Sequence, residues 1–143
     1  MAEFTYNPVQ EVAVGGNVIL NDTIACRKGY VLHRNESGIV TLRGIVNNPR
    51  AKFARYRVQF DANIAVPEGE TAGPISVSLA ITGEPIQTSN AIVTPTVAEA
   101  YFNVVSFAII DVPVGCCNTV SVENTSTIPI NVQNANLEVT RIA

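Results

Sequence analysis

Polar and apolar residues alternate one by one through Arg55-Tyr56-Arg57-Val58-Gln59-Phe60-Asp61, and few folds accept that period. Successive side chains of a β-strand point to opposite faces, whereas a helix brings together residues three and four apart. Tyr56, Val58 and Phe60 therefore share a core face, and Arg55, Arg57, Gln59 and Asp61 share a wet one. The same period runs through residues 75–81, 119–123, 128–132 and 137–142, each read as a half-buried antiparallel strand. The stretch 101–112 is more continuously apolar. Such a run fits a central strand covered on both sides, or one that enters a subunit interface.

Further strands are expected around 11–14, 17–20, 30–34 and 38–42. Between the runs stand Gly15-Gly16, 35–38, Asn47-Asn48-Pro49, 67–73, 82–85, Pro113-Val114-Gly115 and 124–127, which supply positive φ, fixed φ or Asx hydrogen bonds for turns. Helical periodicity is confined to residues 94–100, where Thr94 is a candidate N-cap and Pro95 suits the first turn. Many short strands at this spacing predict an all-β fold, an antiparallel two-sheet jelly-roll sandwich of about 8–10 strands. The organisation is a single domain: residues 1–20 as an N-terminal arm and first strand, residues 21–143 as the jelly roll.

Apolar residues make up 47% of the 143 and charged residues 15%, a balance that excludes a disordered chain. A net charge of −3 predicts no general attraction to nucleic acid or anionic membranes. No window offers the ~18 uninterrupted apolar residues of a membrane helix. The start, with Glu3 and no basic segment leading an apolar one, predicts synthesis in a cytoplasm. Three cysteines are too few for a disulfide framework.

Catalytic chemistry finds little footing. His33 is the one histidine, and its alternating neighbours predict an ordinary cross-strand or surface residue without a nucleophile beside it. Adjacent Cys116 and Cys117 cannot comfortably share a tetrahedral metal. One is expected to pack inside and the other to face outward, with Cys26 a small buried hydrophobe. Glu68 and Glu70 fall in one turn-rich loop, and sequence neighbours there give no reason to face each other across a cleft. No catalytic residue, metal ligand or cofactor is expected, and the chain reads as a non-enzyme. One charge asymmetry stands out: Arg43, Arg50, Lys52, Arg55 and Arg57 are five of the nine basic residues, with no acid between them. They form a candidate docking patch for an acidic surface, a polyanionic glycan or a partner subunit.

The order of segments is similar to a known superfamily. Val14-Gly15-Gly16-Asn17-Val18-Ile19-Leu20, the Tyr56-Val58-Phe60 strand, Val77 to Ile86 with its Thr82-Gly83-Glu84 hairpin, Asp111-Val112-Pro113-Val114-Gly115, and the closing strand 137–142 together resemble trimeric jelly rolls of the tumour-necrosis-factor and complement-like superfamily. The bacterial and phage branch fits best, with the C-terminal domains of collagen-like spore-surface proteins as relatives. The resemblance implies a homotrimer that serves as a phage virion structural protein. Its role would be a capsid decoration or cement protein, or a head-fibre component, docked on the major capsid or another virion protein after assembly in the bacterial host cytoplasm. Tyr56, Phe60, Tyr101, Phe102, Val104 and Phe107 would be divided between the core and the subunit interface. Phe4, Tyr6 and Pro8 would form a docking arm. The alternative is a carbohydrate-binding or host-adhesion module presenting Tyr30, Asn47, Asn48 and the 68–73 loop to a glycan.

Overall fold

Strand-forming runs pair, wherever the chain is described, into two stacked antiparallel sheets. The computed structural model describes residues 2–25, 30–34, 36–44, 52–114 and 117–142, with the side chains of 24 and 25 excepted. Its elements are β1 (Ala2–Tyr6), β2 (Gln10–Val12), β3 (Asp22–Ala25), β4 (Val31–His33), β5 (Val40–Arg43), β6 (Phe53–Ala65), β7 (Ile75–Ile81) and β8 (Glu84–Pro85). A 3-10 turn (Gln87–Ser89), β9 (Ala91–Val93), β10 (Phe102–Pro113), β11 (Cys117–Asn124) and β12 (Ile130–Arg141) follow. Sheet A runs β10-β6-β12-β1-β3, with β2 beside the start of β12; sheet B runs β4-β5-β11-β7-β8, with β9 also on β7. The two-sheet sandwich is the jelly roll that the alternation predicts.

The core lies between the sheets. Phe4, Tyr56, Phe60, Ile64, Ile110 and Leu137 from sheet A meet Leu42, Ile75 and Leu79 from sheet B, all fully buried. Burying a side chain of this size is worth roughly 1.5–3 kcal/mol. The Tyr56 hydroxyl crosses to sheet B and donates to the Arg43 carbonyl at 2.5 Å, which satisfies the one polar atom of an otherwise apolar residue. Asn124, also buried, points its Nδ2 at the carbonyls of Val12, Ala13 and Ile128 at 3.0–3.3 Å. It pins the N-terminal segment to the β11–β12 turn. Gly38 is required sterically, because a Cβ there would stand 2.7 Å from the Val18 carbonyl oxygen.

Four expectations change. Residues 2–6 are not an arm: Ala2 and Phe4 are wholly buried, and β1 is hydrogen-bonded on both sides, to β12 and to β3. Of the docking-arm candidates Phe4, Tyr6 and Pro8, Phe4 is thereby a core residue, Tyr6 ends β1 half-buried, and Pro8 is exposed beyond it. The expected helical turn at 94–100 is absent. Glu99 takes a φ of 62° and its N–H bonds the Val66 carbonyl at 2.8 Å, while the only 3-10 turn among the described residues falls at Gln87–Ser89. The runs 128–132 and 137–142 belong to one strand, β12, whose register against β6 shifts between Gln133 and Asn136, with Asn134 at φ 55°. Asparagine tolerates the left-handed region that such a bulge needs. Finally, of the two readings of 101–112, a central strand or an interface strand, the central strand falls. Among the described strands β10 pairs with β6 alone, at one edge of sheet A.

Candidate interaction surface

Parity sorts the apolar run of β10. Val104, Ser106, Ala108, Ile110 and Val112 point into the core. Their neighbours Val105, Phe107 and Ile109 point out and are 55%, 46% and 55% exposed. Single exposed hydrophobes are ordinary, but three in a row on a 12-residue edge strand make an apolar stripe beside a line of unpaired backbone groups. The interface candidates divide accordingly. Phe107, with Tyr101 and Phe102 at the start of β10, lies on the surface. Tyr56, Phe60 and Val104 are core residues and leave the list of interface candidates. Val105 and Ile109 join it; the odd-numbered parity of the run 103–111 was the signal for them.

Cross-strand register lays out the rest of that outward face. Ile109 stands opposite Arg57, Phe107 opposite Gln59 and Val105 opposite Asp61. On the far side of β6, Arg57 faces Thr140, Gln59 faces Glu138 and Asp61 faces Asn136; beyond β12, Glu138 faces Glu3. The Arg57 guanidinium lies 5.2 Å from the Phe107 ring centroid, and Arg55 lies 4.9 Å from that of Phe53. Arg55 also forms a bidentate pair with Asp111 at 2.7 and 3.0 Å. That pair, by hydrogen bond first and charge second, holds the Asp111 carboxyl below its ordinary range. Asp61 goes the other way: burial, and then the neighbouring Glu138, raise its carboxyl above the ordinary value.

The basic residues gather at one end of the sandwich. Arg43 ends β5 opposite Cys117, Phe53 begins β6 opposite Pro113, and Arg141 ends β12 opposite Tyr56. Arg43, Lys52, Arg55 and Arg57 therefore share a pole, and Arg141, which sequence reasoning missed, joins them with its guanidinium 4.5 Å from the Tyr30 ring centroid. Arg50 lies outside the described residues. Glu68, Glu70 and Glu99 occupy exposed loops at the opposite pole, where β6 ends and β10 begins.

Other candidates stay dispersed. His33 is half-buried, its ring centroid 4.5 Å from that of Phe4, and its Nε2 donates to the Ser37 carbonyl at 2.9 Å. An open cleft of about 550 Å³ beside it is lined by Leu32, His33, Arg34, Ser37, Ile39 and Thr41. Tyr30 is at the basic pole, away from the 68–73 loop, so the glycan candidates are not brought together; Asn47 and Asn48 lie outside the described residues. Cys117 is exposed at the start of β11, while Cys26 and Cys116 fall outside the described residues.

No protein-family model and no curated protein matches the sequence. Solved structures do match the fold. The globular domain of a zebrafish complement 1qA protein superposes with a TM-score of 0.71 at 15% identity, covering 99% of this chain and 96% of that one. Eiger TNF from S. frugiperda gives 0.70 at 14%, covering 99% and 91%. Murine APRIL gives 0.65 at 11%, covering 99% and 98%. The chain has the jelly-roll fold of tumour-necrosis-factor and complement globular domains.

Proposed function

We propose that this tumour-necrosis-factor- and complement-like jelly roll is a structural or binding unit rather than an enzyme, that it works as a homotrimer, and that it docks by its basic pole on the acidic surface of a larger assembly. The observation that carries self-association is the outward row Val105, Phe107 and Ile109 on edge strand β10. An apolar, unpaired edge of this length is an aggregation hazard in a lone chain. A closed ring of identical subunits covers such an edge without leaving an open end.

The partner proposed for the basic pole is the shell of a phage head, which would place the protein in the virion. What supports that step is the resemblance to the phage branch in the sequence, together with the segregation of Arg43, Lys52, Arg57 and Arg141 from the acidic loops. Electrostatic complementarity of this kind steers docking and weakens with salt. The test is co-sedimentation with purified heads of the phage that encodes the chain. Wild type pellets with the heads at low salt and is released as salt rises, whereas Arg43→Glu/Lys52→Glu stays in the supernatant. A wild-type chain that never pellets defeats the docking reading.

A further inference from the structure

We propose that self-association takes up protons: Asp61 and the carboxylates around it on the outward face of sheet A make the assembly tighter in acid and looser near neutral pH. This rests on the self-association proposed above and adds its regulation.

Two adjacent cross-strand rungs carry the charge. One reads Val105, Asp61, Asn136, Thr5 and Asp22 across β10, β6, β12, β1 and β3; the next reads Phe107, Gln59, Glu138 and Glu3. Asp22 is exposed, and the other three carboxylates are half-buried. None of the four has a cation among the described residues. Like charges directly opposite, as Glu3 and Glu138 are, destabilise an antiparallel pair. The other charged groups on this face do not neutralise them. Arg57 stands one rung further along, over the Phe107 ring. Asp111, the one titratable group that β10 turns outward, is already paired with Arg55. Glu11, opposite Asn131 toward the far end of the face, adds another negative charge.

Covering the apolar stripe also covers these acids, because Val105 is directly opposite Asp61, and only Gln59 separates Phe107 from Glu138. Their charged forms lose water there, and each copy brings more of them than its Arg57 can offset, so the neutral forms gain. Burial, and then Glu138, already hold the Asp61 carboxyl above its ordinary range in the single chain. An acceptor for the added proton stands ready: the Asn136 Oδ1, across the strand pair from Asp61, is buried and receives no hydrogen bond. A protonated carboxyl supplies the O–H that it lacks. Assembled copies thus hold more protons than separate ones, and association weakens as pH rises. Salt screens the same repulsion and tightens the assembly, the opposite of its effect on docking by the basic pole.

Sedimentation equilibrium on the whole chain at pH 5.5 and pH 8 tests this. Wild type is expected to associate about ten-fold more tightly at the lower pH. Asp61→Asn/Glu138→Gln should bind at pH 8 about as wild type does at pH 5.5, with little change between the two. Glu68→Gln/Glu70→Gln removes the same charge from the loop at the acidic pole and should keep the wild-type pH dependence, which separates the face from overall net charge. If the first variant fails to fold, Glu138→Gln alone replaces it, with a pH response reduced about three-fold. A wild type that associates equally at both pH values, or more tightly at pH 8, overturns the proton uptake and leaves self-association standing. So does a loop variant that flattens the profile as much as the face variant. A wild type that is monomeric at every pH and concentration overturns both readings.

Discussion

Asn124 shows how a single residue can hold distant segments. Its side-chain amide points at the carbonyls of Val12 and Ala13, near the chain start, and of Ile128, just after β11. Asn124→Ala would leave buried acceptors without a donor, and is expected to cost about 2 kcal/mol, read as a lower urea midpoint at an unchanged slope. Tyr56→Phe removes the hydroxyl bond to Arg43 and should cost about 1 kcal/mol by the same measurement. Asp61 gives a pH signature. Its carboxyl is raised above 3.8 in the folded chain, so between 3.8 and the raised value the folded state holds more proton than the unfolded one. Stability contributed by this group falls as pH rises through that window and stays lower above it. Asp61→Asn should therefore raise the melting temperature of the dissociated chain near neutral pH and flatten this part of its pH profile, with no gain below pH 3.8. Alternation put Tyr56 and Phe60 on one face without deciding between core and subunit interface, and it gave no sign of the burial of Phe4. Its two neighbouring strands, β12 and β3, lie far from it in sequence or follow it, and two aromatics near a chain start look alike whether exposed or enclosed.

Elements were legible where turn chemistry and period agreed. The β7–β8 hairpin has a two-residue loop, Thr82-Gly83, with φ of 50° and 83°, the two positive values that a type I′ turn requires. A β-branched residue is strained there, so Thr82→Asn is expected to stabilise the chain by about 1 kcal/mol in denaturant unfolding. Where period alone was available, the reading went astray at boundaries. Asn134 divides β12 into two apparent strands because its bulge resets the alternation, although the ladder to β6 continues on both sides. The run 101–112 fitted either a central strand or one that enters a subunit interface, because its outward residues are apolar too. Covering by a partner and covering within the chain leave the same sequence pattern, and only the pairing of β10 with β6 alone separates them.

At the scale of the molecule, the β10 stripe and the basic pole are exposed surfaces among the described residues. The pole was partly legible, since Arg43, Lys52, Arg55 and Arg57 are close in sequence. Arg141 was not, because only the register of β12 against β6 brings it to that end. The stripe decides the central claim, that copies of this chain assemble through the outward face of sheet A. Light scattering on the purified protein tests it most directly, comparing wild type with Val105→Lys/Ile109→Lys, which places two charges on the edge strand and leaves the core face of β10 untouched. The account predicts a wild-type mass of about 46 kDa, that of three 15.3 kDa chains, and a folded 15.3 kDa variant. A wild-type mass of 15.3 kDa at high protein concentration, or a variant that assembles as wild type does, would contradict it.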